Sequence, residues 1–217
     1  MENEKLIENT IAFVKLQLKD AEGGHDWFHI ERVYKNTLAI AKEEQCDILI
    51  CKLGALLHDI ADSKFHNGDE KIGPKTARYF LENENVSEEI IKHVIQIIEN
   101  ISFKGGNFEK KFNSIELQIV QDADRLDAIG AIGIARCFNY GGFKDRTIYN
   151  PEIKPNLSMS KEEYKNANAP TINHFYEKLL LLKDKMNTET GKKMALKRHE
   201  FMELFLEQFY AEWQGQK

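Results

Sequence analysis

The sequence predicts an all-α protein folded as a single helical bundle. Apolar residues recur with the 3.6-residue period of amphipathic helices over most of the chain. Only four prolines occur in 217 residues, and three of them fall in one stretch, Phe143 to Pro170. Helix-capping residues also precede most of the periodic segments.

Taken in order, a first helix runs from about Glu4 to Asp20 with Ile7, Ile11, Val14 and Leu18 on one face, and Gly23-Gly24 ends that region. Asp26 is a suitable N-cap for a second helix, whose stripe is Ile30, Val33, Tyr34, Thr37, Leu38 and Ala41. Asp47 caps a third, in which Leu49, Leu53, Leu56, Leu57 and Ile60 form one apolar stripe. After the polar break 65–69, Pro74 suits the first turn of a fourth helix that reaches about Glu82. Ser87-Glu88-Glu89 opens a fifth, carrying Ile90, Ile91, Val94, Ile95 and Ile98 in register.

Ser102 to Asn113 reads as a basic, glycine-containing loop, and Ser114 as the cap of a sixth helix from Ile115 to about Asp127. The small residues of Ala128 to Ala135 would let another helix approach closely, a short apolar strand being the weaker reading. Gly141-Gly142 is expected to stop that segment. Phe143 to Pro170 has no clear period and reads as a long loop. Thr171 and Thr188 are expected to cap two final helices, the second with Met194, Arg198, Phe201, Met202, Phe205, Phe209 and Trp213 on one side. No repeat, low-complexity tract or linker divides the chain, so residues 1–217 are expected to form one domain.

Composition narrows the function. Hydrophobic content of 42% with 30% charged residues fits a soluble globular protein, and no run approaches the roughly 18 apolar residues of a membrane span. The first residues lack the basic and apolar regions of a signal peptide. Cys46, Cys51 and Cys137 are odd in number and lack CxxC spacing, which suits reduced thiols and a cytoplasmic location. A net charge of -5 argues against broad nucleic-acid binding. An anionic substrate must therefore be held by local cations or a metal. The sequence leaves the oligomeric state open.

Chemistry-bearing residues concentrate in three segments. His58-Asp59 stands at the end of the third helix's apolar stripe, with Asp62 and Lys64 following. Alone, this pair reads as a helix-end histidine satisfying last-turn carbonyls beside a solvated aspartate. Two further segments change that reading. His29 flanks the buried stripe of the second helix, four residues before Val33. Asp124 lies beside the core face of the sixth helix, four residues after Val120. Three carboxylates, Asp122, Asp124 and Asp127, in six residues of an otherwise apolar helix need compensation. Arg125 can offset one of them, and a divalent cation more. Two imidazoles with two carboxylates form an N/O donor set suited to Mn, Fe, Co, Ni, Zn or Mg.

The order His, then His-Asp, then Asp resembles the HD-domain superfamily of metal-dependent phosphohydrolases. The likeness is closest to its small bacterial stand-alone branch of predicted nucleotide-hydrolysing enzymes. The resembling segments are H-D-W-F-H-I-E-R-V at 25–33, L-L-H-D-I-A-D-S-K-F at 56–65, D-A-D-R-L-D-A-I-G-A at 122–131 and A-R-C-F-N-Y-G-G at 135–142. Together they define a motif-bearing core of about 24–149, on which helices from 171–217 would pack. The resemblance implies a helical bundle with the metal at its centre, held by His29, His58, Asp59 and Asp124. One divalent ion is expected, manganese first, with Ni, Co, Fe, Zn and Mg also suited.

Around those ligands, Asp62 is placed to act as general base or acid or to orient a metal ligand, and Lys64 to act with it in catalysis. Arg32, Lys64 and Arg125 adjoin ligand positions and are candidates for gripping substrate phosphates. His25 shares a helix face with His29, and Arg136, Lys144 and Arg146 border the long loop as lid candidates. Binuclear members of the superfamily use two further histidines, for which His66 and His93 are the candidates here, but no motif surrounds either and one metal is favoured. His174 and His199 read as structural. The expected activity is hydrolysis of nucleotides or related small phosphate esters, with triphosphate pyrophosphohydrolysis and removal of a terminal phosphate both open. A di-iron oxygenase using His66 and His93, and a non-catalytic helical module with a structural metal, are the alternatives.

Overall fold

A computed structural model describes residues 2–19, 21, 26–60, 71–101, 112–159 and 169–217. His25, Asp62, Lys64 and His66, the polar break 65–69 and most of the 102–113 loop lie outside the described residues. Among those described the regular elements are all helices: α1 (Glu2–Gln17), α2 (Trp27–Ala41), α3 (Ile48–Leu57), α4 (Ile72–Asn83), α5 (Glu88–Asn100), α6 (Ile115–Asp127), α7 (Gly130–Phe143), α8 (Asn173–Glu177), a 3-10 helix (Leu179–Lys185) and α9 (Glu189–Trp213). No strand is present among the described residues. Contacts gather into two compact units, Met1–Asp124 and Arg125–Lys217.

The first unit is arranged around α3, on which α1, α2 and α5 all pack. The apolar stripe expected for α3 is buried at Leu53, Leu56, Leu57 and Ile60, and burial extends beyond it because the helix is enclosed. Ile50 and Cys51 are buried off that stripe, whereas Leu49 is only half-buried. Leu53, Leu56 and Leu57 are wholly inaccessible, each contributing roughly 2 kcal/mol relative to exposure. Gly54 permits the enclosure: a Cβ there would stand 3.1 Å from Ile97 of α5 and 3.5 Å from Val120 of α6. On α1, which ends at Gln17 rather than Asp20, Ile7, Thr10 and Val14 are buried. The Thr10 hydroxyl is satisfied by donating to the Leu6 carbonyl at 2.7 Å.

Helix starts follow local chemistry. Asp26 accepts from the His29 N–H at 2.9 Å, and Asp47 accepts from Leu49 N–H at 2.9 Å and Ile50 N–H at 3.2 Å. Ser114 accepts from Leu117 N–H at 3.1 Å, and Thr188 from Gly191 N–H at 2.9 Å. Ser87 precedes α5 without a side-chain cap bond, and Glu88 and Glu89 face the positive helix end instead. Helix ends use Schellman turns with a left-handed residue: Asn85 after α4, Asp145 after α7 and Gly215 after α9.

In the second unit the expectations for α7 hold in part. Residues 130–135 open α7 and are not a strand, and another helix does come close there as expected, for Arg198 of α9 packs at Gly130. Gly130, at φ +74, makes the break between α6 and α7, with Arg198 carbons 3.0 Å from where its Cβ would be. Gly141-Gly142 does not stop α7, which continues to Phe143 and closes only where Asp145 turns left-handed at φ 52. Gly141 serves close packing instead, since a Cβ there would meet Thr171 Oγ1 at 2.3 Å.

Thr171 is therefore a packing residue and not a helix cap; α8 begins after Ile172, lacks a side-chain cap and lasts five residues. Along α9 the buried line is Gly191, Ala195, His199, Met202 and Leu206. The stripe anticipated there is rotated from the true one, leaving Phe201 and Trp213 about half exposed.

Gly141 and Gly142 give a paired test. Gly141→Ala should destabilise the protein by about 1–3 kcal/mol through the clash with Thr171. Gly142→Ala, with open space around it, should stabilise by about 0.5–1 kcal/mol. Urea denaturation of the two variants checks both signs.

Candidate metal centre

The site grows from the C-terminal end of α3. Leu57 is the last helical residue and His58 the C-cap, at φ -62 and ψ -29, where the final carbonyls have no intrahelical partners. His58 Nδ1 lies 2.8 Å from the Ala55 carbonyl oxygen. A carbonyl only accepts, so Nδ1 carries the proton and Nε2 is left with a bare lone pair. That Nε2 is buried and has no hydrogen-bond partner among the described residues. The helix-end reading of His58 holds through Nδ1, while Nε2 is the nitrogen a ligand role would use.

His29 comes from the first turn of α2, oriented by the Asp26 cap on its own N–H. The His29 side chain is 3% exposed. Its ring sits 5.4 Å from that of His58 at an interplanar angle of 68°. Asp59 follows His58 directly, and one donor atom from each of His29, His58 and Asp59 falls within 4.8 Å of the others. Bonds of about 2.0–2.3 Å to a shared ion require such a spacing. Asp124, on α6, approaches from the His29 side, its Oδ1 3.6 Å from His29 Nε2 and its side chain 41% exposed. That separation is too long for a hydrogen bond, and Asp124 stands at the rim of the three-residue cluster.

Two imidazoles, one with its lone pair fixed inward, and flanking carboxylates suit a divalent cation of intermediate hardness. Among the described residues this is the only such group of three or more His, Cys, Asp and Glu side chains.

The remaining candidates are distributed as follows. Arg32 is half-buried on α2, three residues beyond His29. Arg125 donates to the Lys185 carbonyl at 2.7 Å. Arg136 donates to Asp127 Oδ2 at 2.5 Å, and the Arg146 guanidinium lies 5.6 Å from the Tyr140 ring centre. His93 is outside the cluster. Its Nε2 lies 2.9 Å from Ser114 Oγ and 3.3 Å from Glu116 Oε2. His199 contacts Glu203 at 3.1 Å, a structural pairing.

Asp127 is the residue whose importance the sequence reading missed. It is 1% exposed, and Arg136 binds both its carboxylate and its carbonyl, the latter at 3.2 Å. Arg198 donates to the Leu126 carbonyl beside it at 2.5 Å. Burial lowers the Arg198 pKa while the Asp127 charge opposes that shift. The partner arrives nine residues later, across the break at Gly130, a spacing that no helical periodicity reveals.

The HD domain family profile matches residues 27–129, the stretch that contains His29, His58, Asp59 and Asp124. The YpgQ protein of Bacillus subtilis is 38% identical over 216 residues, covering 96% of this chain and 94% of YpgQ. An HD-superfamily hydrolase from Bacillus thuringiensis, known from its crystal structure, is 46% identical, covers 98% of both chains and superposes with a TM-score of 0.80. The crystal structure of B. subtilis YpgQ in complex with ADP matches at a TM-score of 0.79, covering 98% of this chain and 97% of that one. This chain belongs to the HD domain family, within the stand-alone bacterial branch that includes YpgQ.

Removing the Asp127 carboxylate would leave Arg136 half-buried without its counter-charge. Asp127→Ala should therefore cost about 3 kcal/mol in chemical denaturation, and Asp127→Asn distinctly less because it retains an acceptor. Equal stability of Asp127→Ala and the parent would contradict the assignment.

Proposed function

We propose that this HD-superfamily hydrolase acts on nucleotides or related small phosphate esters, using one divalent ion held by His29, His58, Asp59 and Asp124. The observation that carries the reading is the buried, unpartnered Nε2 of His58, whose lone pair points where only a cation or a donor could satisfy it. A nucleotide substrate is supported by the relative crystallised with ADP. When bound, such an ion polarises a phosphoryl oxygen and lowers the pKa of its water. Manganese suits the mixed imidazole and carboxylate donors, with Ni, Co, Fe, Zn and Mg as further occupants.

The chain's own side chains supply the rest. His29 and His58 bind as neutral imidazoles, and the carboxylates of Asp59 and Asp124 balance the ion's charge. A polyphosphate then adds negative charge to a protein already at -5, so cations must hold it. Arg32 and Lys64 are assigned that role, and His25 a contact beside His29. Asp62 is assigned proton transfer at the scissile phosphate. The reaction is read as pyrophosphohydrolysis of a nucleoside triphosphate or loss of its terminal phosphate, in the cytoplasm. The helices described include none long and apolar enough to cross a membrane. The oxygenase alternative loses support, because His93 is engaged with Ser114 and Glu116.

A panel of nucleotides and phosphate esters assayed with Mn, Mg, Co and Ni, with product identification, tests this reading. Turnover should appear for nucleotides with at least one metal. His58→Ala and Asp59→Ala should lose both bound metal and activity, whereas Lys64→Ala should keep the metal and lose roughly 10²-fold in kcat/KM. Full metal occupancy in His58→Ala by elemental analysis would overturn the ligand assignment, and an inert panel the activity.

A further inference from the structure

Three helices of the Met1–Asp124 unit meet at one carboxylate. Glu116, in the first turn of α6, is buried. Its Oε1 accepts from the Asp47 N–H at the start of α3, at 3.0 Å. Its Oε2 faces His93 Nε2 of α5 at 3.3 Å, and the same nitrogen lies 2.9 Å from Oγ of Ser114, the cap of α6. A second tie lies farther along. Gln121 Nε2 donates to the Asn100 carbonyl at 2.9 Å, at the end of α5, where the last carbonyls have no intrahelical donor.

The order of these contacts shows how the helices run. Seven residues separate His93 from Asn100 on α5, and seven separate Ser114 from Gln121 on α6. Equal steps of about 10.5 Å, at 1.5 Å per residue, make α5 and α6 parallel and level with each other. α3 runs the same way, since Asp47 meets Glu116 at one level and Gly54 lies against Ile97 and Val120 at the next. Apolar side chains along such a seam tolerate small slides by repacking. Hydrogen bonds between side chains and fixed backbone groups do not, because they weaken steeply once length and angle are lost.

We propose that Glu116 and Gln121 are positioning residues that fix the height of α6 against α3 and α5, and with it the level at which Asp124 meets the cluster of His29, His58 and Asp59. Asp124 stands one helical turn beyond Gln121, its Oδ1 3.6 Å from His29 Nε2. Bonds to a shared ion are held to about 2.0–2.3 Å. A slide of α6 by one residue's rise, about 1.5 Å, would carry the carboxylate out of that range. Asn36 of α2 secures the sideways position separately, donating to the Ala123 carbonyl at 3.2 Å. This deepens the metal reading and rests on it for what the alignment serves; the alignment itself stands on the hydrogen bonds.

Crystal structures and manganese titrations of the full-length protein test the two residues. In metal-free crystals of Glu116→Ala and of Gln121→Ala, α6 should slide relative to the parent. The separation of His29 Nε2 from Asp124 Oδ1 should widen by about 1 Å or more, a large part of one residue's rise. Titration followed by electron paramagnetic resonance of free manganese should show affinity at least about tenfold weaker in both, the scale of losing a group that orients a metal ligand, while circular dichroism confirms folding. Glu116→Gln keeps a carbonyl oxygen for the Asp47 N–H and should bind manganese nearly as the parent does. Val14→Ala, which opens a cavity at α1 without removing any of these hydrogen bonds, should lower stability and leave manganese affinity unchanged. An α6 that stays in place in both alanine variants overturns the proposal whatever the metal does, and so does an equal loss of affinity in Val14→Ala. A parent that binds no manganese while α6 slides in the variants overturns the metal reading instead and leaves the alignment standing.

Discussion

A single imidazole constrains this molecule. His58 closes the most buried helix of the first unit and must satisfy a carbonyl at its end, which it does through Nδ1. The same bond turns Nε2 inward, where it has no hydrogen-bond partner among the described residues. An unsatisfied buried acceptor of this kind costs roughly 1–3 kcal/mol. Folding α3 into the core thus leaves a buried acceptor that a cation or a hydrogen-bond donor would satisfy. His29 and Asp59 complete the cluster because α2 packs on α3 and because Asp59 is next in the chain.

Polar networks at both ends of α6 hold the helix that carries Asp124. At its start, Ser114 caps the helix and contacts His93, and Glu116 accepts from the Asp47 N–H at 3.0 Å, tying α6 to the N-terminus of α3. At its end, Asp127 is clamped by Arg136, and Arg198 holds the Leu126 carbonyl. Asp124, one turn before that clamp, is more exposed than His29, with which it pairs. A half-exposed carboxylate on a fixed helix can complete a coordination shell that two buried imidazoles begin.

Much of this was legible in the sequence where the signal is local. Asp26, Asp47, Ser114 and Thr188 all cap as expected, because a short side chain reaching the second or third N–H ahead is decided within four residues. The three segments that carry the candidate ligands were legible from residue type, helical phase and the resemblance to the HD-domain superfamily. What escaped depends on partners distant in sequence. The all-round burial of α3 follows from three helices packing on it, and Gly54 showed its purpose only once Ile97 lay against it. Gly141 looks like a helix stop until Thr171 is seen beside it. Asp127 and Arg136 pair across a left-handed glycine, and periodicity cannot bridge such a break.

The central claim is that one ion binds where His29, His58, Asp59 and Asp124 meet. Anomalous diffraction at the manganese edge, on crystals of the manganese-loaded protein, tests it most directly. The account predicts one anomalous peak, about 2.0–2.3 Å from His58 Nε2 and from the three companion donors. A peak elsewhere, or a pair of peaks about 3.5–4 Å apart as in two-metal sites, would contradict it.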